Sequence, residues 1–235
     1  MSGWARKRFW KAAEVVPVEG GFTVRLDGRA IKTPGKEPLV VPTDALAGMI
    51  AAEWQAQGEK IVPETMPATR AANAAIDKVR GQFSEVAALV AAYGETDLLC
   101  YRAAAPAELR ARQDGAWDPL LDWSAAHFGV RWVVVEGVMP QPQPPETLAV
   151  LNARVARFTE FGLTAFHDLV AMSGSLVIGL AVTEGYAAAE TLWPLSRIDE
   201  DWQRELWGED DEAQALAALR RQSFLNAAKF YAALR

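Results

Sequence analysis

The dipeptide Asp27-Gly28, set between short β-rich runs, limits this chain more than any other feature. Two-residue hairpins of type I′ need positive φ at both central positions, and Asp-Gly is among the few pairs that supply it. Upstream, Phe22, Val24 and Leu26 alternate with Thr23 and Arg25, the period of a half-buried strand. Val15-Val16-Pro17-Val18 forms a partner run beyond Gly20-Gly21, and the chain returns after the turn through Arg29-Ala30-Ile31-Lys32. It turns again at Pro34-Gly35, and Leu39-Val40-Val41 reads as a further strand. Thr43 is placed to cap a helix from Asp44 to Gln57, with Asp44 at its positive dipole end. Leu46, Met49, Ile50 and Trp54 give that helix an apolar stripe, and Gly58 closes it.

After Pro63 the β-character fades. Helices are expected over Asn73 to Val79, Phe83 to Tyr93 and Pro106 to Phe128, the last stopped by Gly129. Asp97 to Tyr101 reads as a short extended piece or a helix end, and Arg131 to Glu136 as an isolated strand. The proline-rich run Pro140 to Pro145 is a stiff connector. Further helices are expected over Glu146 to Glu160, Leu163 to Val182, Ala187 to Trp207 and Asp210 to Leu234. The layout is α+β with segregated elements: a small antiparallel β domain over residues 1–66, then a larger all-helical domain over 67–235.

Composition removes several function classes. A net charge of −6 disfavours a general nucleic-acid binder, which needs a basic surface against phosphates. The single cysteine, Cys100, has no partner for an intramolecular disulfide and reads as a small core hydrophobe. Arg6-Lys7-Arg8 is followed by Phe9-Trp10-Lys11, without the apolar run of a secretory signal. Leu169 to Val182 is uncharged and apolar but falls short of the roughly twenty residues that span a bilayer. It reads as one central buried helix, with Ser173, Gly174, Ser175 and Gly179 allowing close helix approach, and no membrane insertion is expected.

Catalytic patterns are absent from the sequence. Gly35-Lys36-Glu37 lacks the upstream glycine and the hydroxyl of a phosphate-binding loop, and Ser173-Gly174-Ser175 is not a nucleophile elbow. His127 and His167 stand in no metal or triad spacing, so no cofactor or metal is expected. His127 reads as an end-of-helix residue. His167 with Asp168 reads as a partly buried hydrogen-bonded pair; the alternative is a small-molecule enzyme using both in a cleft.

The carboxylates gather instead at helix starts. Asp199-Glu200-Asp201 follows Pro194, and Glu209-Asp210-Asp211-Glu212 opens the next helix. Leu195, Ile198, Trp202 and Leu206 form a stripe expected to be buried, which leaves Asp199, Glu200, Gln203 and Trp207 on other faces. An acidic edge beside an exposed tryptophan fits a basic or partly unfolded partner surface. Nine tryptophans, from Trp4 to Trp207, supply residues of the kind that dominate cores and interface hot spots alike.

One series of motifs runs through nearly the whole chain. It comprises Arg8-Phe9-Trp10-Lys11, Leu26-Asp27-Gly28-Arg29, Lys32-Thr33-Pro34, Glu53-Trp54, Pro63-Glu64-Thr65-Met66-Pro67 and Asp97-Leu98-Leu99-Cys100-Tyr101-Arg102. It continues through Gln113, Trp117-Asp118-Pro119-Leu120, Gly174-Ser175-Leu176 and Asp199-Glu200-Asp201-Trp202-Gln203 to Trp207-Gly208-Glu209-Asp210. The series resembles the F-type ATP synthase assembly chaperone family that binds the free α subunit in mitochondria and α-proteobacteria. The resemblance implies a small β domain beside a larger helical one and a function without catalysis. It further implies a monomer that binds the α subunit and keeps it from aggregating before it pairs with β subunits. Because the sequence begins just before the first motif, a bacterial cytoplasmic member is expected. The residues it points to for partner contact are Glu200 first, with Asp199, Asp201, Gln203 and Trp207 around it. Trp54 belongs to another family motif, although its place on an apolar stripe favours a packing role.

Overall fold

A computed structural model describes residues 7–235; Trp4 and Arg6 lie outside the described residues. The alternating N-terminal runs form β1 (Ala13–Val18) and β2 (Gly21–Leu26), paired antiparallel with Val15 opposite Val24. Asp27 and Gly28 hold φ of 47° and 81°, the conformation the hairpin demands, and β3 (Arg29–Ala30) pairs back onto β2. The Asp27 carboxylate does more than turn the chain: it accepts hydrogen bonds from the backbone N–H groups of Lys11 and Ala12. Leu39 to Val41 joins the sheet by one bridge, Val41 to Phe22, rather than as a full strand. That approach explains Gly21, where a Cβ would lie 2.2 Å from the Val41 carbonyl oxygen.

Helix α1 (Asp44–Gln55) begins as expected, with the Thr43 hydroxyl accepting from the Leu46 N–H. It ends two residues early because Gln57 turns its side chain to other work. Its amide donates to Glu53 O and Thr65 Oγ1 and accepts from the Val62 N–H. The Arg8 guanidinium donates to the carbonyls of Trp10, Gln55 and Gln57, closing the carboxyl end of α1. Helix α2 (Pro67–Ala74) passes through a π-turn at Ala75–Val79 and a tight turn at Arg80–Gln82 into α3 (Phe83–Ala91).

Two family motifs acquire physical reasons here. Glu53 places its carboxylate on the start of α2, accepting from Ala68 N, Thr69 N and Thr69 Oγ1 at 2.6 to 2.7 Å. Asp77 accepts from Thr33 Oγ1 and Gly35 N, and a Cβ on Gly35 would sit 2.6 Å from its Oδ1.

The remaining elements are mostly helical: α4 (Ala107–Phe128), α5 (Pro145–Val155), α6 (Glu160–Ser173), α7 (Leu176–Glu184), α8 (Ala189–Leu192), α9 (Ile198–Trp207) and α10 (Asp211–Ala232). Gly129 stops α4 at φ 69°. Among them, β4 (Tyr101–Arg102) pairs in parallel with β5 (Val135–Glu136), so the expected strand after Arg131 is short and not isolated.

The single helix expected over Leu163 to Val182 is instead two. Ser173 returns its hydroxyl to Leu169 O, Gly174 takes φ 71°, and Ser175 caps α7 by accepting from Ile178 N. The glycine and two serines, expected from the sequence to allow close helix approach, instead break the helix. Gly179 does allow close approach: a Cβ there would meet Val170 Cγ2 at 2.7 Å. The helix expected over Ala187 to Trp207 is likewise divided, by a tight turn at Trp193–Arg197 containing Pro194.

The chain forms two compact units. One comprises residues 1–83, 159–165 and 229–235, and its core gathers Trp10, Val24, Leu39, Leu46, Ile50 and Phe230. The β-rich stretch 1–66 lies within it. The other comprises 84–158 and 166–228, with Leu99, Trp117, Leu120, Ile178, Leu192 and Phe224 in its core. No helix among the described residues is long and apolar enough to cross a membrane.

Asp97 holds the break before α7 in place. Fully buried, it accepts from Leu99 N, Ser175 Oγ and Val177 N at 2.8 to 3.0 Å. Burial pushes its carboxyl up to about 6 from the ordinary 3.8, while these donors pull it back down. Between about pH 4 and 6 the native state thus keeps a proton on Asp97 that the unfolded chain has released, and its contribution to stability falls as pH rises through that range. Replacement Asp97→Ala strands buried donors and should cost roughly 2–4 kcal/mol in urea unfolding. A midpoint equal to wild type for Asp97→Ala would show that the start of α7 is held by packing alone.

Candidate functional site

Helix α9 carries five of the six residues singled out for partner contact, and α4 fixes where it lies. The buried Gln113 amide donates to Asp199 Oδ1 at 2.6 Å and accepts from Ala103 N at 2.7 Å. The Trp117 indole donates to Leu195 O at 2.7 Å just before α9 begins. Arg112 makes a two-pronged pair with Glu205, 2.8 and 2.9 Å, and lies over the Trp202 ring at 4.9 Å. That hydrogen bonding holds the Glu205 carboxyl below its usual range.

Arg102 in turn positions α4. It is buried, donates to Asp114 at 3.0 Å, Asp118 at 2.6 Å and the Leu99 carbonyl, and stacks over Trp117. Burial raises the Asp114 carboxyl, but the guanidinium groups of Arg110 and Arg102 outweigh it and leave the group below its usual value.

These supports sort the candidates. Asp199 is half-buried and engaged with Gln113, so it anchors the helix. Glu200 and Asp201 pair within the helix surface, to Arg197 at 2.7 Å and Arg204 at 3.1 Å. Gln203 is exposed, and Trp207 is 85 % exposed. Among the eight described tryptophans Trp207 alone is exposed, so the excess of this residue is otherwise packing.

The expected buried stripe needs one correction. Ile198 is buried and Leu195 and Trp202 are half-buried, but Leu206 is 59 % exposed. The links to α4 end at Arg112–Glu205, and the last turn of α9 runs on without cover.

Trp54, the sixth candidate, lies in the other unit. It packs edge-on against Trp10 with ring centroids 5.1 Å apart. His127 ends α4 as expected, stacked on Trp123 at 5.3 Å with its Nε2 3.7 Å from Glu184.

His167 and Asp168 form the expected pair at 3.0 Å, both partly exposed. Neither lines either of two concavities in the helical unit, one between α9 and α10 and one beside Gly174 and Arg197. Burial and the nearby Asp97 push the Cys100 thiol up, which makes it inert as a nucleophile. Among the described residues no cluster of His, Cys, Asp or Glu is arranged to hold a metal ion. Sequence reasoning missed the supports Arg112 and Arg102, whose partners lie on distant segments, and the exposed Leu216 and Leu219 of α10.

The chain thus has a small antiparallel sheet, a predominantly helical remainder and an exposed tryptophan at the end of an acidic helix. Comparison with known proteins makes this specific. The family described as ATP12 chaperone protein matches residues 7–125. A crystal structure of Atp12 from Paracoccus denitrificans is 50 % identical, with TM-score 0.95, over 97 % of this chain and 98 % of that one. An aspartate-to-lysine variant of P. denitrificans Atp12p superposes with TM-score 0.96 at 49 % identity over all of both chains. The mitochondrial Atp12 protein of Schizosaccharomyces pombe is 25 % identical over 222 residues, 89 % of this chain and 76 % of the relative. The chain belongs to the ATP12 family of ATP synthase assembly chaperones.

The His167–Asp168 pair yields a measurable consequence. The hydrogen bond to Asp168 raises the His167 pKa above 6.5 against the opposing effect of burial. Its contribution to stability is therefore complete below about pH 6.5 and is lost as pH rises through the raised native value. Imidazole NMR should show His167 titrating above 6.5 and moving down in Asp168→Asn. An unchanged titration in that variant would mean that the pair does not form in solution.

Proposed function

We propose that this chain binds the free α subunit of F-type ATP synthase through α9, without catalysis, and shields it until it meets β subunits. Family membership supports the assembly role, and the motif series through Asp199–Gln203 supports the α subunit as client. The observation that carries the reading is the 85 % exposed Trp207 on a helix that α4 clamps at Asp199 and Glu205. A large apolar side chain exposed to water on a clamped, charged helix has the composition of an interface hot spot.

Within this reading Glu200 is the leading contact, with Asp201, Gln203 and Trp207 beside it. Asp199 sets the helix position, and Trp54 is a secondary contact through its half-buried ring. The chaperone acts as a monomer in a bacterial cytoplasm and takes no cofactor. A client subunit leaves when its larger native interface competes, so release follows mass action and needs no nucleotide hydrolysis by the chaperone.

Tagged chain co-expressed separately with the α and β subunits should co-purify with α and not β at 1:1 on size exclusion. Glu200→Lys, at an exposed position, should keep wild-type circular dichroism and weaken that complex by about ten-fold or more. Wild-type binding by that variant would move the contact off Glu200. Absence of any complex with a folded chain would remove the α-subunit reading.

A further inference from the structure

One motif residue of the first unit has no packing role that accounts for it. In Arg8-Phe9-Trp10-Lys11 the Arg8 guanidinium closes α1 and Trp10 is 3 % exposed in the core, yet Phe9 is 66 % exposed. Residues 7 and 8 run antiparallel to 59 and 60: the Arg8 N–H donates to Glu59 O at 3.0 Å, and Lys7 stands directly opposite Lys60. That bond pattern makes the lysines a non-hydrogen-bonded pair, the kind that brings opposed side chains closest, with Cβ atoms about 5 Å apart. Contacts assign the two faces of this ribbon. Arg8 lies over the Trp10 ring at 5.5 Å on the core side, so Lys7 and Phe9 alternate outward. Ile61 packs against the core, and Lys60 and Val62 likewise alternate outward, with Val62 43 % exposed. One outer face therefore carries Phe9, then the two lysines, then Val62.

Like charges directly opposite each other are unfavourable in an antiparallel pair. Neither lysine has a carboxylate partner among the described residues, and residues 1–6 contain no Asp or Glu. Glu59 alternates to the Arg8 side, and Glu64 lies in the tight turn Pro63–Thr65 beyond Val62. The first unit as a whole has the same sign: it carries +4 and the second unit −10, which together make the chain's −6. The Phe9 ring meets Trp10 edge-on at 5.2 Å, and Trp10 meets Trp54 at 5.1 Å, so the exposed ring rests on two rings tied to the core. An aromatic side chain so supported, beside cations without counter-ions, is complementary to an apolar segment that carries a carboxylate. A chain of net charge −6 is a poor match for an anionic lipid surface, the other ligand of exposed Lys and Phe.

We propose that Lys7, Phe9, Lys60 and Val62 form a second contact surface, on the first unit, for an extended protein segment with a carboxylate between two apolar side chains on one face. Phe9 and Val62 lie four strand residues apart along the ribbon, roughly 13 Å, so the segment has the pattern apolar-x-acidic-x-apolar. Its carboxylate lies between the two ammonium groups, and its apolar side chains cover Phe9 and Val62. This rests on the chaperone reading only for the partner being a protein chain, and uses neither α9 nor the identity of the subunit.

The test uses the full chain and three labelled peptides that differ only in their central five residues. The matched one is Leu-Thr-Glu-Thr-Leu, the second has Lys for Glu, and the third, Leu-Glu-Thr-Thr-Leu, moves the carboxylate to the opposite face. Anisotropy should show the matched peptide binding at least about ten-fold tighter than either, with affinity falling as salt rises. Lys7→Gln with Lys60→Gln removes the repulsion, so its urea midpoint should equal or exceed wild type while matched-peptide binding weakens by about ten-fold. Phe9→Ser, at an exposed position, should weaken it as much. Lys32→Gln with Lys36→Gln makes the same charge change at two other exposed lysines of the unit and should leave binding unchanged. Equal binding of the three peptides, no binding of any, wild-type binding by the Lys7 and Lys60 double variant or by Phe9→Ser, or equal loss in the Lys32 and Lys36 variant overturns the surface. So does tighter binding to phosphatidylserine vesicles than to the matched peptide. The α subunit separates this surface from the client: a chain that binds α but not the matched peptide overturns the surface alone, and one that binds the matched peptide but not α overturns only the client.

Discussion

Two buried charges five residues apart organise the helical unit. Asp97 and Arg102 bracket Leu98-Leu99-Cys100-Tyr101, and both are withdrawn from water. Asp97 receives the Val177 N–H at the start of α7, the Ser175 hydroxyl and the Leu99 N–H, and these three hydrogen bonds with the helix dipole offset the cost of burying a carboxylate. Arg102 meets Asp114 and Asp118 on α4 and lies over Trp117. From α4 the order passes through Gln113 and Arg112 to α9. The six-residue motif thus sets two helices directly and a third through α4. Its leucine and cysteine supply core, and its charged ends supply register.

This chain of support explains which parts were legible beforehand. The hairpin was, because Asp27-Gly28 and the Phe22-Val24-Leu26 alternation are local signals with one dominant solution. The start of α1 was, because a cap needs only Thr43 and the N–H of Leu46. The break before α7 was not. Ser173-Gly174-Ser175 is compatible with a close-packed continuous helix, and the Asp97 side chain that stabilises the break lies 78 residues away in sequence. Likewise the periodicity that placed Leu206 on a buried stripe is real, but periodicity assigns a face and cannot say where the supporting helix ends. The roles of Asp199 and Glu205 as anchors were hidden for the same reason, since Gln113 and Arg112 sit more than 80 residues earlier.

In the proposed function, anchoring and recognition divide the α9 carboxylates. Asp199 and Glu205 face α4 and are spent on position, so the helix does not have to be ordered when a partner arrives. Ordering a free helical turn at the moment of binding would cost about 1–2 kcal/mol per residue. Glu200 and Asp201 pair only with arginines of their own surface, Arg197 and Arg204. Such exposed pairs are worth little and exchange readily for an incoming cation. The side chains proposed for recognition are those whose present partners are the cheapest to give up.

On the proposed reading, a chaperone that must also let go gains from this distribution. Electrostatic attraction by an acidic rim acts mainly on encounter, and its strength falls with salt and distance. Apolar contact area acts mainly on residence time, and the large apolar side chains exposed on α9 and α10 are only Leu206, Trp207, Leu216 and Leu219. Capture can then be fast while the complex stays weaker than the native interface that replaces it. Enlarging the apolar set would lengthen residence and expose more surface to self-aggregation, and adding basic residues would neutralise the rim that speeds encounter. For the proposed function, an acidic, sparsely apolar surface on a supported helix is the compromise these opposing constraints leave for a protein whose partner must finally be surrendered.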